Sequence, residues 1–462
     1  MKILQVSTAD RASGAEFVAL NLHQGLRRRG CTTWMAVAER HTDSEGVFVL
    51  DNDAERGGWT RFWLAAGRRL GTIFGSGAVG RRIRSLLGYR LGQPGRAWKI
   101  DQGWEDFDFP ATRRLPDLTP SLPDLLHCNN LHGGYFDLRA LPELAERLPV
   151  VLTLHDMWPL TGHCASALGC PRWQTGCGAC PDLGIYPPVK KDNTAANWRR
   201  KRDLFSASGV EVICTSQWMK SQLPGSTLDA AAATARVIHL GIETDVFTTL
   251  PDQQATRAEL GIPADAAVLV WTCSSGRKNV FKDYQTLETA TREVAARGVG
   301  RPLWFLLVGG EPCREPLGTA QMLGVGHVSD RRRLAQLYRA GDVFIHATKA
   351  EAWGLTITEA LASGLPVVST AVGGIPEQVL HEETGLLVAP GDAAAFANAT
   401  YRLLLDETLR RRLGNQGAEL ARSRFGIERQ VDEYLSAFQS IRADWEKRRS
   451  RPRQPAPVAM GV

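Results

Sequence analysis

The sequence predicts an α/β protein of two doubly wound domains, each a mainly parallel sheet flanked by helices. Three observations carry that reading. Short apolar runs suited to buried parallel strands recur along the whole chain, at 1–8, 124–129, 149–155 and 210–216 and again at 267–272, 302–308, 342–346 and 366–370. Several of these runs end in a glycine-bearing turn that opens an amphipathic stretch, the order a parallel sheet with helical crossovers requires. At 462 residues the chain is long enough for two domains of ordinary size, each with its own core.

Composition agrees with a globular protein: 44% apolar and 23% charged residues, with a mean hydropathy of −0.19. No run approaches the ~18 apolar residues of a spanning helix. The first apolar run is short and is followed at once by Asp10 and Arg11, so it is expected to be a strand and not a secretion signal. The expectation is a cytoplasmic protein, peripheral at the inner face of the cell membrane, whose nine cysteines stay reduced. No nucleic-acid partner is expected.

The first strand passes through Ser13-Gly14-Ala15-Glu16 into an amphipathic helix reaching Gly30, and 31–38 is the next strand. Residues 56–100 then hold ten Arg and Lys and no Asp or Glu, which leaves the rest of the chain at −4 against an overall +6. Within that insertion, 59–91 is rich in Trp, Phe, Leu and Arg and is expected to form an amphipathic surface for anionic lipid headgroups or a lipid-linked acceptor. The competing reading is helices packed on the first domain with solvated arginines. Residues 103–113 show no assignable chemistry.

Strands 124–129 and 149–155 place His127 and His155 near their carboxyl ends, the edge where ligands bind in open α/β sheets. A lone histidine there is more often a satisfied structural residue; His155 differs in being followed directly by Asp156. Residues 162–182 gather Cys164, Cys170, Cys177 and Cys180, the last two as Cys-x-x-Cys with Gly178 easing the turn. Four thiols so close in a reducing compartment point to a structural tetrahedral zinc, with His163 as a substitute ligand. The spacing matches no standard finger, and the alternative is a set of small buried hydrophobes. The strand at 210–216 and the segment 235–247 close the first domain, taken as 1–240.

The second domain, 241–425, begins with the strand 267–272. Gly276-Arg277 follows, with Lys282 six residues after the glycine. Cations at the carboxyl end of a strand can neutralise a diphosphate, Arg through its two-pronged donor geometry and Lys as a point charge, and Lys278 competes for that role. After the strand 342–346 comes the stretch 347–374, ATKAEAWGLTITEALASGLPVVSTAVGG. Its two glycine turns, at Gly354 and at Gly373-Gly374, each open a helix beyond a strand end, so that backbone N–H groups and a helix dipole suit an anion. Glu351 and Glu359 add carboxylates, which serve hydroxyl groups and not phosphates. A site that wants both fits a sugar nucleotide. Residues 426–446 are expected to be a helix crossing back to the first domain, and the basic, Pro-rich 447–462 to be disordered.

The string Glu351, seven residues, Glu359, with Gly354 between and Glu-Ala-Leu-Ala-x-Gly-x-Pro-Val-Val running from Glu359, resembles the signature of the family-4 retaining glycosyltransferases. Trp353 stands where Phe is usual. The His155-Asp156 pair and the following Leu160-Thr161-Gly162-His163 resemble the cleft loop of a subgroup that builds bacterial surface polysaccharides. The resemblance covers almost the whole chain, most weakly over 39–100. It implies the GT-B arrangement, two Rossmann-like domains facing across a cleft, with the acceptor on the first and a nucleotide-sugar donor on the second.

On this resemblance Glu359 holds the ribose hydroxyls, Val328 the base through its backbone, and Gly14, Gly354, Leu355 and Thr356 frame the donor. Arg277 and Lys282 meet the diphosphate, although Asp283 stands where Gly is usual, and His155 and Glu351 meet the sugar. Catalysis is expected to need no cofactor; the acceptor is expected to be a saccharide or lipid-linked saccharide, and its choice depends on loops near Ser13-Gly14, His132-Gly133 and His163. A nucleotide-sugar epimerase of similar fold and a non-catalytic sugar-nucleotide-binding protein are the alternatives. A dinucleotide oxidoreductase is disfavoured, because no Gly-x-Gly-x-x-Gly follows the first strand.

Overall fold

The computed structural model describes residues 1–450 apart from 12, 13, 76, 251 and 275. In the first domain the strands are β1 (Lys2–Ala9), β2 (Thr32–Glu39), β3 (Val47–Val49), β4 (Leu125–Cys128), β5 (Val150–Leu154), β6 (Glu211–Cys214) and β7 (Arg236–Val237). They order as β3-β2-β1-β4-β5-β6-β7, and every pairing is parallel. Their apolar character has a direct cause: helices cover both faces, so β4 and β5 are buried at every residue.

The second domain repeats the plan with β8 (Ala267–Thr272), β9 (Leu303–Val308), β10 (Cys313–Leu317), β11 (Ala320–Val325), β12 (Val343–His346), β13 (Val367–Thr370) and β14 (Gly385–Val388). The order is β10-β11-β9-β8-β12-β13-β14, parallel except for the β10–β11 hairpin at one edge. In both sheets the order reverses beside the first strand of the domain, and the crevice at such a switch point is where ligands bind in open sheets. The two α/β sheets are the architecture the sequence predicts.

The chain crosses between domains twice, and the crossings meet: Ile242 N–H donates to the Phe425 carbonyl and Ile427 N–H to that of Ile242, each at 2.9 Å. The helix Ile427–Ser450 then returns to the first domain. Its Val431, Tyr434, Phe438 and Ile441 pack into one buried cluster with Ile3, Leu22, Leu26 and Val151, and Arg29 pairs with Asp432 at 2.9 Å. The crossing helix expected at 426–446 therefore runs four residues further. Residues 447–450, expected to be disordered, belong to it, while 451–462 lie outside the described residues.

Candidate functional site

Two cavities lie along the cleft. The larger, about 470 Å³, is lined by Gly14 and Phe17 from the first domain and by Thr272, Gly309, Val328, Arg331, Leu355, Thr356 and Glu359 from the second. The smaller, about 280 Å³, is lined by His155, Asp156, Tyr186 and Trp218 on one side and Asn279, Phe281, Lys282 and Glu351 on the other. Residues far apart in sequence but expected to share a site are thus brought together, with Val328, Glu359, Leu355, Thr356 and Gly14 at one cavity and Glu351, Lys282 and His155 at the other.

Glu359 is buried by the helix Leu355–Ala362, yet both its oxygens are used. Oε1 accepts from Arg331 at 2.7 Å and Oε2 from the Tyr338 hydroxyl at 2.9 Å. Burial pushes its carboxyl above the usual range, against the opposing pull of Arg331 and Tyr338. Arg331 also reaches Glu243 at 2.9 Å and lies over the rings of Phe17 and Phe247, 4.4 and 4.5 Å from their centroids. Its charge therefore joins the two domains at the floor of the larger cavity. Nothing in the sequence marks Arg331 out from Arg332 and Arg333 beside it; the rotation of the helix Arg331–Arg339 makes the choice.

At the smaller cavity Lys282 Nζ forms an ion pair with Glu351 Oε2 and lies 3.3 Å from His346 Nε2. Burial alone would raise the Glu351 carboxyl, but Lys282, aided by His346, brings it down to about 2. It is ionised at neutral pH. Burial and the Lys282 charge hold His346 at about 4, so that imidazole is neutral. Opposite, His155 Nε2 lies 3.1 Å from Asn129 Oδ1, and the Asn129 amide donates to the Val6 carbonyl at 3.2 Å. Oδ1 is thus the acceptor, His155 donates through Nε2–H, and its Nδ1 keeps a lone pair. Burial lowers His155 to about 4.

The loop carrying Glu351 is fixed by glycines. A Cβ on Gly373, where φ is 59°, would come within 1.8 Å of the Glu351 carbonyl oxygen, and one on Gly374 within 2.2 Å of that of Ala352. Gly374 N–H donates to the Glu351 carbonyl at 3.0 Å. This corrects the reading of Gly373-Gly374 as an anion-binding turn: the helix it opens, Ile375–Gln378, has four residues, and the glycines are there because the Glu351 backbone fills the space. Glu377 of that helix instead accepts the Gln217 and Trp218 N–H groups of the first domain, both at 2.8 Å. Trp353 stacks on His239, 4.6 Å between centroids, so the residue that departs from the usual Phe also serves the domain junction.

Other placements differ from expectation. Arg277 is turned towards the β10–β11 hairpin, where it pairs with Glu315 at 2.8 Å, and it lines neither cavity. Lys278 pairs with the exposed Glu311 at 2.7 Å. Gly354 donates its N–H to Gln378 Oε1 at 3.0 Å and supports the helix start from behind. Asp156 does not pair with His155; it takes His132 at 2.7 Å, whose other ring nitrogen is 3.4 Å from the Tyr186 hydroxyl. His127 is the structural histidine its position suggested, between Gln5 and Thr153.

Cys164, Cys170, Cys177, Cys180 and His163 line one small cavity of about 40 Å³. His163 Nε2 lies 3.4 Å from Cys180 Sγ, and burial raises the Cys164 and Cys177 thiols to about 11 and 12. Among the described residues, no three His, Cys, Asp or Glu side chains are arranged to hold a metal ion. The segment 103–113, silent in sequence, is structural: buried Glu105 pairs with buried Lys201 at 2.9 Å and accepts from Trp158 Nε1 at 2.6 Å.

A profile described as "Glycosyltransferase Family 4" matches residues 12–246, and one described as "Glycosyl transferases group 1" matches 273–420. A putative colanic acid biosynthesis glycosyl transferase of Escherichia coli, WcaC, is 27% identical over 69% of this chain and 77% of its own length. A D-inositol 3-phosphate glycosyltransferase of Saccharomonospora viridis is 34% identical over 46% of this chain and 52% of its own length; several other curated relatives are likewise matched over only about half of their length. Among solved structures, HepE of Anabaena in complex with UDP-glucose superposes with a TM-score of 0.59 at 19% identity, covering 95% of this chain and all of that one. Sucrose-phosphate synthase of Thermosynechococcus elongatus does so with a TM-score of 0.62 at 21% identity, over 96% and 99%. At such identities these neighbours speak to the two-domain fold alone.

Proposed function

The chain belongs to glycosyltransferase family 4, and from that premise we propose that it moves a sugar, with retention of configuration, from a nucleoside diphosphate sugar to a saccharide or lipid-linked saccharide in surface polysaccharide synthesis. The observation that carries this is the meeting of Lys282, Glu351 and His155 at one cavity, with Val328 and Glu359 lining the next. The base lies along the Val328 backbone and the ribose hydroxyls on Glu359. The diphosphate lies between Lys282 and the start of the helix Leu355–Ala362, at Thr356, where amide dipoles favour negative charge.

Binding the diphosphate draws Lys282 away from Glu351. The freed carboxylate then accepts sugar hydroxyls and stabilises positive charge growing at the anomeric carbon, while His155 accepts a further hydroxyl through Nδ1. In front-face substitution the bond from the anomeric carbon to the diphosphate oxygen breaks as the bond to the acceptor oxygen forms, and the acceptor proton passes to the departing diphosphate. Lys282 supplies the electrostatic stabilisation a divalent metal gives elsewhere. Arg277 adds to it only by exchanging Glu315 for phosphate. The acceptor side is His132, Asp156 and Tyr186.

The relative named for colanic acid biosynthesis supports this choice of product, and the neighbour in complex with UDP-glucose supports this choice of donor. Incubating the full chain with a panel of sugar nucleotides, with and without lipid-linked saccharides, tests it. Acceptor-dependent release of nucleoside diphosphate is the expected result. A sugar altered without release would make the protein an epimerase, and binding with neither would make it a non-catalytic module. The cysteine cluster is proposed as a structural zinc site on its donor chemistry alone, four thiols and one imidazole around a single cavity. Elemental analysis is expected to return about one zinc per chain; a folded, zinc-free protein removes the proposal.

A further inference from the structure

The basic insertion is built the wrong way round for water. It forms the helix Gly58–Ile73, the helix Ala78–Arg84, a π-helical turn Ser85–Leu91 and the helix Pro94–Asp101. The buried residues of these four elements are Gly67 and Gly71, Gly80, Gly88 and Ala97. A Cβ on Gly71 would lie 2.5 Å from the Arg84 side chain, and one on Gly80 2.6 Å from the Gly71 carbonyl oxygen, so the segments pack backbone to backbone. None of their large apolar side chains is buried, and most are exposed. Nine of the sixteen exposed large hydrophobics among the described residues lie between Trp59 and Trp98, with Ile73 74%, Trp59 65% and Phe62 63% exposed. Small residues inside and large apolar ones outside is the arrangement of helices that pack in lipid, where closeness of backbones and not burial of bulk holds them together.

The charges complete the pattern. Arginines at the root of the insertion are tied to acids of the flanking chain: Arg56 to Asp108 at 3.0 Å, Arg90 to Asp101 at 2.8 Å and Arg96 to Asp106 at 2.6 Å. Arg61, Arg69 and Arg82 are exposed, and the insertion brings no acid of its own to meet them. We propose that this insertion docks on the surface of an anionic lipid bilayer, its apolar side chains entering the acyl boundary and its outer arginines meeting lipid phosphates. Charge complementarity selects that occupant, because a face of Trp, Phe and Ile ringed by unpaired arginines suits a surface with an apolar interior and a negative rim. No helix among the described residues is long and apolar enough to cross a membrane, so the contact is interfacial.

The test uses the full chain in low salt with vesicles of phosphatidylcholine alone or mixed with phosphatidylglycerol, read by sedimentation. The wild type is expected to sediment with the mixed vesicles and weakly with the neutral ones. Changing Phe62, Ile73 and Phe74 to Ser should weaken partitioning into mixed vesicles at least about tenfold, through lost apolar insertion. Changing Arg61, Arg69 and Arg82 to Gln should weaken it by roughly 100-fold in low salt and by far less in high salt. Circular dichroism melts of both variants should match the wild type, since none of these side chains is buried. A wild type that stays in the supernatant with both vesicles overturns the proposal. So does a dimer in size-exclusion chromatography that the Ser substitutions dissolve, which would make a second copy the occupant.

Discussion

In the first domain His132 donates to Asp156 at 2.7 Å; in the second, His346 lies 3.6 Å from the Glu351 carboxylate. The residue types match, both imidazoles are buried or nearly so, and the two carboxylates line the same cavity. Their protonation differs. Burial works against the charged form of both rings, but Asp156 outweighs it and raises His132 above the ordinary range. At His346 burial is joined by Lys282, and the ring falls to about 4. A third charge decides what a histidine–carboxylate pair becomes. On the second domain the cation is Lys282 and the imidazole a neutral prop; on the first, the imidazole itself takes up charge.

Breaking the Lys282 side of this contrast should have the largest consequence. Glu351→Gln is expected to lower kcat by roughly 10²–10³-fold with the fold intact, since it removes preorganised charge at the reacting carbon; near-wild-type turnover would falsify the assignment. Lys282→Met is expected to cost roughly 10–100-fold in kcat and to move His346 upward from about 4, because the nearest carboxylate then acts unopposed. An NMR titration in which the His346 ring stays where it was would show that burial alone sets it.

Asp156→Asn should disturb the other side only. His132 loses the charge that raises it, and KM for the acceptor is expected to rise about tenfold while KM for the donor holds. Equal changes in both would place His132 and Asp156 with the donor.

The remaining effect is on stability, and its sign differs between the two kinds of histidine. His23, His127, His155 and His346 have folded values of about 4, 3, 4 and 4, below the ordinary ~6.5. The unfolded chain binds more protons there, so their contribution is complete above pH ~6.5 and is lost as the pH falls towards 4, by at most ~1.4 kcal/mol per pH unit for each. His132, raised, contributes in the opposite sense: its stabilisation is present below the unfolded value and fades as pH rises through the folded one. Denaturant midpoints across pH 4–7 should fall with acid; a flat profile would mean these rings are not buried neutral.

The two halves of the site were unequally legible. Glu351, Glu359, Lys282 and Val328 were expected to share a site on the family resemblance, and the fold brings them to the cleft because each lies in a loop or helix that follows a strand end, and a parallel sheet sends all such ends to one edge. His155 was set apart from His127, which obeys the same strand-end rule, by its neighbour Asp156 and by the family resemblance. Arg277 shows the limit of that rule. Strand-end position brings the backbone to the cleft, but a long side chain goes where its best partner is, and Glu315 on the neighbouring hairpin takes it. His132 and Asp156 were each noted in their own loops, but their pairing and the approach of Tyr186 had no signal, because that meeting depends on how the cysteine-rich loop folds back: Ala165 N–H bonds the Tyr186 carbonyl at 2.8 Å, a contact no local spacing encodes.

Short apolar runs and glycine turns, local properties of a few residues each, were enough to determine two doubly wound domains and to single out the stretch 347–374 with its two carboxylates. Tertiary structure alone decided that Gly373 and Gly374 yield their space to the Glu351 backbone, that Arg331 among three consecutive arginines is the one that pairs with Glu359, and that Gly67, Gly71, Gly80 and Gly88 of the basic insertion lie inside with Trp59, Phe62 and Phe74 outside. Each of these turns on which surfaces press together at a distance in sequence, and packing of that kind is a property of pairs of segments, which no single segment carries.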